Sequence, residues 1–316
     1  MQQYLEEFRP NVIHFVGDGW FWGHFCSRFR WRGGRARFVF TPSFHTLPLS
    51  RWWLAPINTA LCRFVDDIVP LTRQEALGLR RAYLAQEDKQ TIIGWGAPLP
   101  DPVAVEAVRA EAGGRGRPGE SFSNSVQPLS ERGEGEQPLT ILCVGRLGRH
   151  KAQMWLLDVY REARRSFERP VRLVLVGRDE GDAEAIASYI TAYSLQDEVE
   201  ATGEVTDSEL AHWYARADLF ALFSHYEAFG LVYSEAMAYG APVLTHDVGS
   251  NRELLHTGAV VTPRFDRRAA VAELTALVND DEKRMRLGGD ARQYALAEFT
   301  WPAVAEKYLT VYRGER

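Results

Sequence analysis

The stretch LFALFSHYEAFGLVYSEAMAYGAPV, Leu219–Val243, decides the fold. It opens with the apolar run Leu219–Phe223, which reads as a strand buried on both faces. Ser224-His225-Tyr226 breaks the run and puts Glu227 in a loop at the strand's carboxyl end. Gly230 permits close backbone approach, and the spacing predicts a helix over Leu231–Tyr239. Glu235 lies just over one turn into it, so the two carboxylates do not share one helix face. Pro242–Thr245 is the next strand.

The same alternation runs outward. Apolar runs at Thr140–Val144, Arg172–Val176 and Val199–Thr202 are strands. Helices are predicted at Ala152–Phe167, Ala183–Tyr193 and Asp207–Ala215, the last with Asp207 as its N-cap. Residues 267–297 read as two closing helices and Ala303–Tyr312 as a final one. Repeated strand–helix units imply right-handed βαβ crossovers and a doubly wound parallel sheet. Such sheets bind ligands at the carboxyl ends of their strands.

The first third is α/β too, but thinner. Strands fit Asn11–Val16, Arg37–Phe40, Ile68–Leu71 and Thr91–Ile93, and helices fit Gln2–Phe8, Trp53–Phe64 and Arg73–Ala85. Residues 111–137 are rich in Gly, Ser, Glu and Arg and poor in large apolar side chains, as in a flexible linker. The expected organisation is therefore an N-terminal Rossmann-like domain over 1–110, a linker over 111–137, a second Rossmann-like domain over 138–300 and a C-terminal helix over 301–316.

A length of 316 residues suits two domains, and 46% hydrophobic with 25% charged residues is the composition of a globular protein. The net charge of −5 offers no general case for nucleic-acid binding. The cysteines, Cys26, Cys62 and Cys143, are odd in number and far apart, which excludes a full disulfide framework and argues against structural zinc. With no apolar leader at the start and no bilayer-length apolar run, the expected location is the cytoplasm.

Two motifs carry chemistry. The N-terminus of the helix beyond Gly230 offers free amides and a dipole to an anion, as a pyrophosphate would require. Glu227 and Glu235 are placed to grip two parts of an elongated ligand. The second motif, Val144-Gly145-Arg146-Leu147-Gly148-Arg149-His150-Lys151, also follows a strand. Gly145 and Gly148 are read as permitting a tight turn. Arg146 and Lys151 bring positive charge to the same sheet edge, where it would stabilise a departing diphosphate.

Together these residues resemble the retaining glycosyltransferases of family 4, which have the two-Rossmann GT-B fold. Glu227 and Glu235 match the family's E-x7-E pattern, and Gly145, Arg146, Leu147 and Lys151 match GRL-x3-K. The segments VEATGEVTDSELAHWYARADLFALFSHYEAFG, APVLTHDVGSNREL and ARQYALAEFTWPAVAEKYLTVY extend the resemblance over residues 139–312. It implies an α/β, GT-B-like fold and transfer of a hexose-like sugar from UDP or GDP to a glycan or lipid-linked acceptor. Arg146 and Lys151 would hold the donor diphosphate, Glu227 the sugar hydroxyls and Glu235 the ribose. The backbone at Phe229, Gly230 and Leu231 would help bind phosphate. The family is usually metal-independent, so neither a metal nor another cofactor is expected. Retention is thought to run by same-face substitution, with the diphosphate helping to deprotonate the acceptor.

RPNVIHFVGDG, FVFTPSFHTLP and GWGAPLPDP resemble later parts of the family's acceptor domain. By that resemblance His45 faces the donor sugar. The family's opening strand and Gly-rich loop have no counterpart here, so the N-terminal domain reads as incomplete, and a protein partner could complete it. Ala152 stands where many relatives have glycine.

Plainer readings stand beside these. Two carboxylates at a helix start can simply oppose its dipole; the strand, Gly230 and the GRL motif favour function. Arg149 is read as solvated, His14 as a satisfied core residue, His150 and His225 as loop residues without a direct role, and Asp66-Asp67 as a strand-entry turn. Residues 23–63 hold seven arginines and no Asp or Glu, interleaved with aromatics. A core-facing aromatic stripe with a basic outer face explains this. The sharper alternative is peripheral contact of residues 20–63 with an anionic inner-membrane face, which would suit a lipid-linked acceptor. Two other functions stay open: an inactive or partner-dependent nucleotide-sugar-binding subunit, and a sugar-nucleotide epimerase.

Overall fold

A computed structural model describes residues 7–17, 36–42, 50–97, 99, 138–227 and 229–315. The chain divides into two compact units, Met1–Gly96 with Trp301–Arg316, and Ala97–Thr300. The expected linker, 111–137, lies outside the described residues, as do residues 2–6 of the first expected helix, Gln2–Phe8.

Among its described residues, the first unit carries three parallel strands in the order β1 (Val12–Gly17), β2 (Arg37–Pro42), β3 (Asp67–Ile68). Alternation along the strands sorts their side chains to two faces. Phe15, Phe38, Phe40 and Ile68 pack with Leu61, Cys62 and Val65 of helix α1 (Ser50–Phe64) and its exit, and with Leu79 and Tyr83 of α2 (Arg73–Tyr83). Val39 and Val12 face the other way, against Val304, Val311, Tyr308 and Tyr312 of the C-terminal helix (Trp301–Arg313). The last helix of the chain thus completes the first unit. His14 belongs to this second face. Its Nδ1 is 2.8 Å from Tyr312 Oη and its Nε2 2.8 Å from Thr41 Oγ1, so it is a satisfied core histidine. Asp67 receives a bidentate ion pair from Arg37 at 2.6 and 2.9 Å, and Asp66 accepts from Phe38 N–H at 2.8 Å. Both aspartates tie the entry of β3 to β2.

The expected strand at Thr91–Ile93 does not form. The segment still runs beside β3 and its exit, through an isolated bridge of Gln90 to Ile68 and backbone bonds from Thr91 N–H to Ile68 O at 3.0 Å and Ile93 N–H to Pro70 O at 3.1 Å, but it forms no regular ladder.

The second unit holds a six-stranded, all-parallel sheet. In chain order its elements are β4 (Leu139–Val144), α3 (Gln153–Ala163), β5 (Val171–Val176), α4 (Ala183–Ala192), β6 (Val199–Gly203), α5 (Asp207–Arg216), β7 (Leu219–Ala221), α6 (Leu231–Ala238), β8 (Val243–His246), α7 (Asn251–Leu254), β9 (Ala259–Thr262), α8 (Arg267–Asn279) and α9 (Asp281–Glu298). Trp301–Arg313 is then α10. The sheet order is β6-β5-β4-β7-β8-β9. Every residue of β4 is buried, as helices on both faces of a parallel sheet require. Strand β9 and the short α7 were not foreseen. The N-cap of α5 is Thr206, not Asp207. Thr206 accepts from Glu209 N–H and Glu209 reaches back to the Thr206 amide, a full capping box.

Cys62 and Cys143 are free and buried, and burial pushes both thiols up to about 12, which removes them as nucleophiles. Cys26 lies outside the described residues. Among the described residues, no helix is long and apolar enough to cross a membrane.

Candidate functional site

Strands β4 and β7 are neighbours at the centre of the second sheet. From β4 the chain winds outward through β5 and β6, then returns to β7 and winds the other way through β8 and β9. The carboxyl ends of β4 and β7 therefore flank the topological switch point, where open α/β sheets bind ligands. The Gly145–Lys151 loop leaves one end and the Ser224–Gly230 loop leaves the other.

The first loop is stitched to the loop after β5. Leu147 N–H donates to Arg178 O at 2.8 Å, and Glu180 N–H returns to Leu147 O at 2.9 Å. Gln153, buried at the start of α3, donates from Nε2 to Arg146 O at 2.9 Å. Gly177 faces the carbonyl of Gly145, which a Cβ there would meet at 2.1 Å. The glycines of the motif itself do not turn the chain as expected. Gly148 is extended at φ −161°, and neither it nor Gly145 has the positive φ of a glycine turn. The left-handed residue is Ala152, at φ 52°, which carries the chain from a short 3-10 turn into α3.

Arg146 ion-pairs with Glu180. Glu180 also lies 3.6 Å from His150 Nδ1 and 3.9 Å from Arg178 Nη2, so one carboxylate gathers three basic side chains. Burial, helped by Lys151 and Arg146, lowers the His150 pKa below 6.5.

Lys151 Nζ donates to Glu227 Oε2 at 2.7 Å, with the two side chains 15% and 11% exposed. This pair joins the two loops, and so does the 2.8 Å bond from His225 N–H to His150 O. Ser224 Oγ lies 3.4 Å from the same carboxylate oxygen. The Ser224 carbonyl is held by His246 Nε2 at 2.8 Å, while His246 Nδ1 accepts from Phe265 N–H at 3.1 Å. With both ring nitrogens committed, His246 is neutral with its proton on Nε2. On the other side of Glu227, Gly249 approaches so closely that a Cβ would lie 1.9 Å from the Glu227 carbonyl oxygen.

Gly230 caps α6 in the left-handed region, at φ 72°. Tyr233 N–H already donates to Gly230 O at 2.9 Å, which leaves the Leu231 and Val232 amides at the helix start for a ligand. Leu231 is exposed, whereas Phe229 is buried with its ring edge-on to Phe299. Glu235, on the fifth residue of α6, receives Tyr214 Oη at 2.7 Å. Burial raises the Glu235 carboxyl pKa, and the Tyr214 hydrogen bond draws it back down.

The structure thus brings Gly145, Arg146, Lys151, Glu227, Phe229, Gly230, Leu231 and Glu235 to one sheet edge in the second unit. His45 lies outside the described residues. Sequence reasoning missed Glu180, Gln153, Tyr214 and Gly249. Glu180, Tyr214 and Gly249 act through partners more than twenty residues away, which no motif spacing marks; Gln153 lies just beyond the GRL-x3-K pattern and holds the Arg146 carbonyl. Chemically, the edge offers two cations, helix-start amides and two carboxylates with different partners. That set suits an extended ligand with an anionic middle and hydroxyl-bearing ends.

Residues 129–294, more than half of the chain, match the family described as Glycosyl transferases group 1. The D-inositol 3-phosphate glycosyltransferase of Xylanimonas cellulosilytica is 32% identical over 255 residues, covering 78% of this chain and 56% of that protein. The GDP-mannose-dependent alpha-(1-6)-phosphatidylinositol monomannoside mannosyltransferase of Mycobacterium tuberculosis is 30% identical over 191 residues, or 57% of this chain and 49% of that one. The chain spans about half the length of the curated relatives it matches. Among solved structures, HepE of Anabaena in complex with UDP superposes with a TM-score of 0.76 at 18% identity, over 99% of this chain and 80% of that one. At that identity the likeness speaks for the α/β, GT-B-like fold. The family match over the sheet, with both motif loops inside it, places this chain in the Glycosyl transferases group 1 family.

Proposed function

We propose that the protein is a retaining glycosyltransferase of family 4 type, moving a hexose-like sugar from UDP or GDP to a glycan or lipid-linked acceptor. The observation that carries this reading is the Lys151–Glu227 contact at 2.7 Å. It places a cation from the GRL loop beside a carboxylate from the E-x7-E loop, at the switch point of the sheet. A nucleotide sugar has this polarity, with a diphosphate for the cation and sugar hydroxyls for the carboxylate.

On this reading Arg146 and Lys151 hold the diphosphate and meet the charge that grows as the glycosidic bond breaks. The α6 amides near Phe229, Gly230 and Leu231 add dipolar stabilisation. Two fixed side-chain cations support a mechanism without a metal. Glu227 accepts from the sugar hydroxyls and Glu235 from the ribose. On the family resemblance, His45 is the further candidate for contact with the sugar; it lies outside the described residues.

The test is calorimetric titration with UDP, GDP and ADP, followed by assay of the matching nucleotide sugars without acceptor. Saturable binding of UDP or GDP with slow sugar release supports a working donor site. Binding without release favours a nucleotide-sugar-binding subunit. Binding of none of the three sinks the proposal.

A further inference from the structure

We infer that Tyr214 is a positioning residue for the ribose end of the site: it holds Glu235 so that the protein prefers a ribonucleotide to its deoxy counterpart. The inference rests on the reading above that Glu235 accepts from the ribose.

Tyr214 stands on α5 and Glu235 on α6, so no sequence motif joins them. The Tyr214 side chain is 2% exposed. Its ring is stacked on Tyr239 at 5.6 Å and 14°, and near Phe220 at 6.3 Å and 29°. Packing on two rings leaves the hydroxyl one position, 2.7 Å from Glu235 Oε2. Oε1 has no hydrogen-bond partner among the described residues. One carboxylate oxygen is held and its twin is left to accept from a ligand.

A glutamate side chain free to rotate would lose rotamer freedom on accepting from a hydroxyl, and Tyr214 has already removed that freedom. Hydrogen bonding from Tyr214 also favours the ionised carboxylate against the effect of burial, and an ionised acceptor makes the stronger bond. Burial, and then Glu235 itself, holds the Tyr214 hydroxyl pKa well above 10, so Tyr214 remains a donor.

Tyr214→Phe keeps both ring stacks and removes only the donor. The measurement is calorimetric affinity of the full chain for UDP or GDP, whichever it binds, against the 2′-deoxy and 3′-deoxy forms, with thermal melting as the folding control. The parent should prefer the ribonucleotide by about tenfold or more. Glu235→Gln should lose most of that ratio. Tyr214→Phe should lose it likewise, while its affinity for the deoxy forms stays within about twofold of the parent's. A Tyr214→Phe variant that keeps the parent's ratio overturns the role of Tyr214 alone. A parent with no ribose preference, or one whose preference survives Glu235→Gln, overturns the ribose assignment of Glu235 and this inference with it. Should Tyr214→Phe not fold, Tyr214→Leu is read for the same ratio, since it is smaller, apolar and has no donor; an unchanged ratio again overturns the inference.

Discussion

Glu227 is fixed from two sides: Lys151 Nζ sits 2.7 Å from its carboxylate and Gly249 lies against its backbone carbonyl. The carboxylate and the main chain of one residue are thus set by two loops that approach from different strands. Lys151→Ala strips a mostly buried carboxylate of its cation and, on the proposed reading, removes a ligand of the diphosphate as well. UDP or GDP affinity should fall at least tenfold and the melting temperature should drop. Glu235→Ala should weaken the same binding. If calorimetry shows both variants binding as the parent does, the donor site lies elsewhere.

Gly249→Ala should cost about 2 kcal/mol or more in urea unfolding. The added Cβ meets the Glu227 carbonyl oxygen, and φ is +54°, where an L-residue already costs about 1–2 kcal/mol. Gly181 is the control: its φ is +105° but no atom lies within 4 Å of a Cβ there. Only Gly249→Ala should also impair nucleotide binding, since it alone must move Glu227.

Glu180→Gln should tighten binding of a nucleoside diphosphate by about threefold to tenfold at low salt, because the native carboxylate competes with the ligand for Arg146 and repels it. The effect should shrink in high salt, as the pair is half-exposed. Weaker binding would mean that Glu180 serves to aim Arg146 instead.

Stability should rise with pH on the acid side of about 6.5. Burial lowers the pKa values of His246 and His14 below 6.5, so in that window the unfolded chain binds more protons than the folded one. Their contribution is complete above 6.5 and is lost as pH falls through the folded values. In urea titrations across this range, His246→Phe should show a flatter dependence than the parent, whatever its absolute stability. An equally steep slope would remove His246 as a source.

Much of the second unit was legible from its sequence, for a physical reason. A parallel sheet buried on both faces needs runs such as Leu139–Val144, which no exposed strand would tolerate. Glycine and polar breaks then mark where each run ends. The motif loops were legible because their residues are close in sequence, within seven positions for GRL-x3-K and nine for Glu227 to Glu235. Partners fixed by topology were not. Glu180 reaches Arg146 only because β5 pairs with β4, and Tyr214 reaches Glu235 only because α5 and α6 flank the same strand. The role of Gly145 and Gly148 was misread for the same reason. Steric demand for glycine falls on Gly177, where another strand's loop approaches. Thr206 was passed over as the cap of α5 because an acidic residue follows it, yet its hydroxyl and Glu209 close the box.

The route of the chain through the two units sets a timetable for synthesis. Val39, Val69 and Ile93 belong to a core that Val304 and Val311 complete. All of Ala97–Thr300 must be made in between. At about 5–20 residues per second that is roughly 10–40 s on the ribosome. During that interval one face of the first sheet waits uncovered while the second unit can already fold. Nascent chains stalled before Trp301 should therefore expose an apolar surface that chaperones bind, and release of the last helix should end that exposure.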